Sequence, residues 1–328
     1  MLKTLATVLA LSACLAQTAD FKEKARFTIG GDGLWDYLTL DAAGKRLYVA
    51  RETRVAVVDT ASGKLVGEVP GLDGAHGVAL VPELGLGFAS SGKSGTVVAF
   101  DLEKLETRAT IGVGRGADAI LYDPASKLVF VFNAKSRDAS VIDPKTKKVL
   151  GTIALPGKPE FGVSDGKGKI YVNLETTSEL ARIDARKLAL ESRIPLAPCT
   201  QPTGLAIDRE TGRLFAGCRN RKLVVVDPER SRVLKSFDVG SNVDGVAFDP
   251  KRKLVFVPGG DGTMVVLREK SPEAFELHAR FDTKKGARTI ALDPESGRVY
   301  VVTADRGPAV SGEAHASVLP GTFVVLVY

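Results

Sequence analysis

The sequence predicts an all-β fold: a seven-bladed β-propeller with four-stranded antiparallel blades and a ring closed by the N-terminal strand. Three observations predict it: a regular repeat, short β-type runs inside each repeat, and a last repeat that the start of the chain completes. The residue that closes the first apolar run of each repeat falls at Asp41, Val81, Asp123, Asp165, Asp208, Asp249 and Asp293. Successive gaps are 40, 42, 42, 43, 41 and 44 residues, so one unit recurs along nearly the whole chain.

Each repeat has the composition of a small antiparallel sheet. The clearest copies are residues 118–123 followed by 127–131, and residues 244–249 followed by 253–257. Their apolar runs are short, rich in Val, Ile and Leu, and bounded by turn residues, without a sustained helical period. Four such strands in a unit of about 40–50 residues are typical of a propeller blade.

The two ends of the chain complement each other. The last repeat has three strand-like runs, at residues 288–293, 298–302 and 322–328. The missing fourth strand is supplied by residues 24–30, which have the same pattern as the fourth strands of other repeats. Pairing the two termini leaves no blade with an open edge, which would otherwise favour aggregation.

Composition excludes several other classes of protein. The chain has 328 residues, of which 44% are hydrophobic and 26% charged, as in ordinary globular proteins. Its 45 basic and 39 acidic residues give a net charge of +6, and the two signs are interspersed. The aromatic residues lie mostly inside apolar runs and do not alternate with Lys and Arg, which argues against nucleic-acid binding. We expect a monomer.

The first twenty residues predict export. A short positive start, Met1 to Lys3, precedes ten uncharged, mostly apolar residues, a stretch too short to span a bilayer. Residues 11–14, ending at Cys14, resemble the lipobox of bacterial lipoproteins, in which the cysteine carries the lipid. The alternative is a soluble periplasmic protein cut after Ala16 or Ala19. We therefore assign residues 1–20 to an export signal and linker and residues 21–328 to a single propeller, periplasmic or anchored to the outer membrane of a bacterium.

The second and third strands of several repeats carry a specific resemblance. Residues 46–50 with 55–59, and residues 169–173 with 181–184, look like the YVTN-type repeat, in which Tyr-Val-Thr-Asn closes the second strand. With the export signal, the chain resembles the YncE-like family of exported seven-bladed propellers. This resemblance implies the fold, but the family has no shared catalytic signature.

One set of positions stands out as a candidate site. In a propeller, the innermost strands begin around one end of the central channel, which we call the channel mouth, and ligands often bind there. Five residues before each closing position lies one member of the mouth ring: Asp36, His76, Asp118, Glu160, Thr203, Asp244 and Arg288. Carboxylates gathered in this way need a metal, a cationic ligand or a network built on Arg288.

For a divalent metal, we predict the ligands His76, Glu160 and Asp118, because a histidine with oxygen donors suits Zn, Mn, Fe or Cu better than Mg. The alternative is that each carboxylate only accepts backbone N–H bonds at a strand start.

Polar side chains at the turns after the second strands extend the candidate site. They are Arg51, Ser91, Asn133, Asn173, Glu175, Arg219 and Asn220. We predict that Asn133 and Asn173 help to orient a ligand; ordinary hairpin-turn chemistry is the alternative. The last repeat also carries a long loop between Asp305 and Gly321, which is either a lid bearing Glu313 and His315 or a tolerated insertion.

Two of the three cysteines lie outside the predicted export signal. Cys199 precedes the first strand of the fifth repeat and Cys218 ends its second strand. Antiparallel pairing brings them together, and an exported protein favours a disulfide between them.

These observations leave two function classes open. The first is a non-catalytic exported binding or scaffold propeller that recognises a small ligand, a metal or a partner protein at the channel mouth. The second is a metal-dependent hydrolase of the lactonase type, in which a carboxylate-held cation activates water. Asp36, His76, Asp118, Glu160 and Asp244 would supply the oxygen donors and the acid or base. Fold alone does not choose between them.

Overall fold

The computed structural model describes residues 21–308 and 316–328 and is all-β. A single turn of 3₁₀ helix, Pro82–Leu84, interrupts the strands of the described ranges. In chain order the strands are β1 (Ala25–Thr28), β2 (Leu38–Asp41), β3 (Arg46–Asp59), β4 (Leu65–Val81), β5 (Leu86–Ser91), β6 (Thr96–Asp101), β7 (Thr107–Gly112), β8 (Ala117–Asp123), β9 (Leu128–Asn133), β10 (Asp138–Asp143), β11 (Lys148–Ala154), β12 (Pro159–Ser164), β13 (Lys169–Leu174), β14 (Glu179–Asp184), β15 (Ala189–Pro195), β16 (Pro202–Ile207), β17 (Leu214–Cys218), β18 (Lys222–Asp227), β19 (Arg232–Asp238), β20 (Ala247–Asp249), β21 (Leu254–Gly259), β22 (Thr263–Ser271), β23 (Ala274–Asp282), β24 (Ile290–Leu292), β25 (Val299–Thr303) and β26 (Val324–Val327).

The described strands form six sheets, so the prediction of seven separate four-stranded blades is wrong. Five sheets have four antiparallel strands: β8–β11, β12–β15, β16–β19, β20–β23, and β24–β26 with β1. The remaining sheet has six strands, β2 to β7, and contains the first two repeats.

The first two repeats share a sheet because their hydrogen bonding is not interrupted. Strand β3 has 14 residues and β4 has 17, and Glu52 pairs with Ala75 in the ladder between them. Positive φ angles at Glu52, Gly71 and Gly74 allow these long strands to bend sharply without ending. The closing residues count the repeats correctly, but the number of sheets is smaller because the first two repeats form one sheet.

The innermost strands form a closed circle around the channel. Each contacts the next, in the order β2, β4, β8, β12, β16, β20, β24 and back to β2. The six-stranded sheet contributes two of these strands. Close approach is possible where small residues face each other: a Cβ on Gly204 would lie 2.7 Å from the backbone of Gly245 in the neighbouring repeat.

The predicted closure by the N-terminal strand is confirmed. Strand β1 pairs antiparallel with β26, with Ala25 opposite Val327 and Thr28 opposite Val324. The aromatic ring of Phe21 stacks on that of Phe281 with centroids 5.3 Å apart, so the segment before β1 also packs on the neighbouring sheet. The start of the chain thereby covers the edge that β26 would otherwise expose.

Apolar side chains fill the spaces between neighbouring sheets. One core cluster joins Phe130 and Phe132 of β9 to Ile170 and Val172 of β13, all fully buried. Equivalent clusters occur around the ring, so the hydrophobic effect stabilises the packing of each sheet on the next. Within the described ranges, no helix has the length and apolar character needed to cross a membrane.

Candidate functional site at the channel mouth

The fold places the mouth ring where the innermost strands begin. His76, Asp118 and Glu160 lie in the first part of an innermost strand segment, whereas Asp36, Asp244 and Arg288 come just before one. A backbone hydrogen bond fixes Asp36 relative to His76, since the N–H of the next residue, Tyr37, donates to the His76 carbonyl at 3.0 Å. Side chains from different repeats therefore face one another across the channel mouth.

Asp36, His76 and Asp118 form the tightest cluster of the ring. The Nδ1 atom of His76 lies 2.6 Å from Asp36 Oδ2 and 3.7 Å from Asp118 Oδ1. The imidazole is 35% exposed, so solvent reaches the cluster. Gly92 leaves room for it, because a Cβ there would lie 2.7 Å from His76 Nε2. Burial by itself would lower the pKa of His76, but its hydrogen bond with Asp36 and the neighbouring carboxylates outweigh burial and raise this pKa to about 9.

The other carboxyls of the ring are crowded and shielded from water. Burial, together with the charge of Asp36, raises the pKa of Asp118 to about 7, although His76 opposes the shift. Burial and the charge of Asp118 raise the pKa of Glu160 to about 8. Burial also raises the pKa of Asp244 to about 6, despite the nearby Arg288. Asp118 and Glu160 therefore take up protons near neutral pH, and a bound cation would replace those protons.

A chain of ion pairs runs along one side of the mouth. The Lys158 ammonium lies 2.6 Å from Glu160 Oε1 and 2.6 Å from Glu175 Oε2. Arg219 Nε then donates to Glu175 Oε1 at 2.7 Å. Although burial favours its neutral form, Lys158 and Arg219 hold the pKa of Glu175 below its usual value. Glu160 is thus joined to this chain and lies beside the cluster of Asp36, His76 and Asp118.

Sequence reasoning missed two residues of the site. Lys158 is the ammonium that links Glu160 to Glu175. Tyr37 is buried beneath the ring; burial and the charges of Asp118 and Asp244 raise its pKa well above the usual value. The signal for Lys158 was its place two residues before Glu160, at the same strand start. The signal for Tyr37 was its place directly after Asp36.

The remaining predicted ring residues have other partners. Arg288 Nε lies 2.9 Å from Asp244 Oδ2, so these two form an ion pair. Thr203 is buried, and its hydroxyl donates to the Val243 carbonyl at 2.6 Å. It joins two neighbouring repeats.

The two predicted asparagines are fully buried, and the amide nitrogen of each is hydrogen-bonded within the protein. The Asn133 amide nitrogen donates to Asp138 Oδ1 at 2.6 Å and to Ser140 Oγ at 2.9 Å. The Asn173 amide nitrogen donates to the carbonyls of Thr203 and Gly204, both at 3.0 Å. These bonds brace a hairpin and tie one sheet to the next, and the structure does not bring either amide into the cluster around His76.

Cys199 and Cys218 form a disulfide next to the mouth; Cys199 lies three residues before β16, and Cys218 ends β17. Cys14, Glu313 and His315 lie outside the described residues.

The opposite end of the channel has a different character. A cavity of about 700 Å³ opens there and is lined largely by apolar side chains of the innermost strands, among them Leu80, Ile207 and Phe248. The charged groups of the mouth ring do not line it. The charged side chains of the mouth ring thus lie at one end of the channel, and the cavity lies at the other.

The fold and the charged channel mouth define a β-propeller of the binding or scaffold type. Among solved structures, the chain is similar to the WD40 repeats of RRP9, with a TM-score of 0.78 and 8% identity over 91% of this chain and 96% of that chain. It is also similar to a chain of the hydrazine synthase of Kuenenia stuttgartiensis, with a TM-score of 0.73 and 16% identity over 83% of this chain and 93% of that one. At these identities the likeness shows the fold alone.

Similarity to curated sequences is more limited. Antigen Lp49 of Leptospira interrogans serogroup Icterohaemorrhagiae serovar copenhageni is 22% identical over 243 residues, covering 54% of this chain and 53% of that protein. The chain thus spans about half the length of this curated relative. No family model matches the chain, so its place in the YVTN-repeat family stays a prediction.

Proposed function

We propose that this protein is an exported binding propeller whose channel mouth holds a divalent transition-metal ion between Asp36, His76 and Asp118. The proposal is carried by one observation: each of these side chains offers a ligand atom, and the three atoms lie within 4.8 Å of one another. One nitrogen and two carboxylate oxygens are a donor set that Zn²⁺, Mn²⁺, Fe²⁺ or Cu²⁺ accepts.

The geometry requires little adjustment. With metal–ligand distances of about 2.0–2.2 Å, neighbouring donors of a tetrahedral site lie roughly 3.4 Å apart. The separation of 3.7 Å between His76 Nδ1 and Asp118 Oδ1 is already close to that value. The 2.6 Å between His76 Nδ1 and Asp36 Oδ2 is a hydrogen-bond distance, and placing an ion between these atoms needs a widening of less than 1 Å.

Binding should depend on pH with a definite sign. An incoming ion has to displace the proton of His76, whose pKa is raised to about 9, and that of Asp118, whose pKa is raised to about 7. Metal affinity is therefore expected to increase from pH 6 to pH 9, since ligands bind metal in their deprotonated form.

Titration of the purified protein with ZnCl₂ by calorimetry at pH 7.5, after passage over a chelating resin, tests the proposal. We expect one ion per chain, and at least a hundredfold loss of affinity in His76→Ala. The control is His278→Ala, which removes a histidine on the outer strand β23, where its ring lies 3.2 Å from Arg268 Nη2. Equal binding by the wild type and His76→Ala, or no binding by either, would overturn the proposal.

The variant Glu160→Gln decides the role of the fourth candidate ligand. Glu160 Oε1 is held by Lys158 at 2.6 Å, so we expect the variant to retain most of the metal affinity. A loss as large as that of His76→Ala would instead make Glu160 a ligand.

One observation favours a second candidate, a metal-dependent hydrolase of the lactonase type. The pKa of Glu160 is raised to about 8, so this carboxyl can take up a proton near neutral pH, and it lies beside the proposed metal ligand Asp118. A carboxylic acid so placed is suited to protonate a leaving oxygen. Turnover of a sugar lactone by the zinc- or manganese-loaded protein, lost in both His76→Ala and Glu160→Gln, would support hydrolysis. Tight metal binding without turnover would leave the binding function.

We further infer that the chain is exported and belongs with the YVTN-repeat propellers. The Cys199–Cys218 disulfide supports export, because such bonds persist in oxidising compartments. The mass of the mature N-terminal peptide, isolated from native membrane and periplasmic fractions, distinguishes a lipid on Cys14 from cleavage after Ala16 or Ala19.

A further inference from the structure

A second cavity opens on the same face as the mouth ring. It has a volume of about 550 Å³ and lies between the sheet β20–β23 and the last sheet. Its wall comes from the turn after β21, the segment before β24 and the segment after β25. Among the described residues, four cationic side chains line it: Lys284, Lys285, Arg288 and Arg306.

The positive charge of this cavity is only half neutralised. The Lys284 ammonium lies 2.8 Å from Asp305 Oδ1, and Arg288 Nε lies 2.9 Å from Asp244 Oδ2. Four cations and two paired carboxylates leave an excess of two positive charges. Lys285 is exposed at the cavity wall.

The two guanidinium groups are held in place before any ligand arrives. Arg306 lies over the indole of Trp35, with 5.0 Å from Cζ to the ring centroid, and its Nη1 donates to the Ala316 carbonyl at 3.0 Å. Arg288 is held by Asp244, which lies 2.9 Å from its Nε, and its side chain lines the cavity. Partial burial and the charge of Arg288 lower the pKa of Arg306, so the two groups repel each other across this space.

From this arrangement we infer that the cavity is an anion site for a small phosphate-bearing ligand. A phosphate monoester carries a charge of about −1.5 to −2 at neutral pH, which matches the excess of two positive charges. It also presents three strong acceptor oxygens, and guanidinium groups bind such oxygens in pairs. The cavity shares Arg288 with the mouth ring, and Lys285 and Arg306 lie outside the proposed metal site.

Calorimetric titration with inorganic phosphate, in a low-salt buffer at pH 7.5 on metal-free protein, tests the inference. We expect wild-type binding with a millimolar or lower Kd, and at least a tenfold weakening in both Lys285→Gln and Arg306→Gln. Lys148→Gln is the matched control, because it removes one exposed lysine from the outer strand β11 and should leave the affinity unchanged. Circular dichroism checks that each variant is folded.

The same experiment separates this site from the metal site. His76→Ala should keep full phosphate affinity, whereas Lys285→Gln should keep full zinc affinity. No phosphate binding by the wild type, or equal binding by all the lysine and arginine variants, overturns the inference even if zinc binds. Succinate bound as tightly as phosphate would overturn the assignment to a tetrahedral anion.

Discussion

The carboxylates at the two ends of the innermost strands are held in different ways. Asp249, at the end of β20, is fully buried and accepts backbone N–H bonds from Lys251 at 2.9 Å and Arg252 at 3.0 Å. Asp244, five residues earlier, faces the channel mouth, and its partner is the charged side chain of Arg288. Asp249 thus stabilises its own turn, where it also pairs with the Arg252 side chain at 2.9 Å, whereas Asp244 meets a charge from the next repeat.

This difference assigns the two sets to different tasks. A backbone amide is a partner that the fold itself supplies, so Asp249 lowers the free energy of the folded turn. Asp118, Glu160 and Asp244 of the mouth ring have raised pKa values, which means that folding disfavours their charged forms. Groups that do not stabilise the fold are candidates for binding or catalysis.

The largest expected effect is a loss of stability when the N-terminal strand is removed. Deleting residues 21–30 removes β1 and the Phe21 contact and leaves the mouth carboxylates in place. We expect a loss of roughly 5 kcal/mol in unfolding free energy, because a strand ladder and its apolar side chains disappear together. This loss is measured by comparing the urea unfolding of chains that start at residue 21 and at residue 31. Coincident unfolding curves would contradict the role assigned to β1.

A paired substitution tests the comparison directly. Asp249→Ala should lower the unfolding free energy by about 2 kcal/mol, since it removes a fully buried carboxylate that bonds two backbone N–H groups and the Arg252 side chain. Asp244→Ala should change it by less than about 0.5 kcal/mol, because burial raises the pKa of this carboxyl to about 6 and its charge does not favour folding. Urea titrations at pH 7 compare the two. An equal loss in both variants would remove the distinction between turn and mouth carboxylates.

The smallest expected effect is a pH dependence of stability with an unusual sign. In the folded chain the pKa values of Asp118, Glu160 and Asp244 are about 7, 8 and 6, whereas the ordinary values for these groups are 3.8, 4.5 and 3.8. At a pH between the ordinary and the folded-state pKa values, unfolding releases protons from these carboxyls, so the free energy of unfolding falls as pH rises. His76 acts in the same direction, because its pKa is raised from 6.5 to about 9.

We therefore expect the metal-free protein to be more stable at pH 5 than at pH 8, by about 1–2 kcal/mol in urea unfolding. The double variant Asp118→Asn with Glu160→Gln should have a flatter profile, since two of the titrating groups are gone. Added zinc should recover stability at pH 8, because an ion that binds only the folded state stabilises it. Stability that increases from pH 5 to pH 8 in the metal-free wild type would contradict the raised pKa values.

The sequence by itself determined the local features of this protein. Strand content follows from short apolar runs between turn residues, and the repeat locates Asp36, His76, Asp118 and Asp244 at strand starts. The pairing of β1 with β26 was also predictable, because an incomplete last repeat needs a fourth strand. Each of these inferences depends on neighbours in the chain or on one repeated pattern.

Only the tertiary structure decided how many sheets the repeats make and which charges meet. The merging of two repeats into the sheet β2–β7 depends on ladder bonds such as Glu52 with Ala75, which a residue pattern does not encode. Likewise, Lys158 joins the site through distances of 2.6 Å to two carboxylates. Electrostatic effects depend on separation and on exclusion of water, and both are set by the packing of distant repeats against one another.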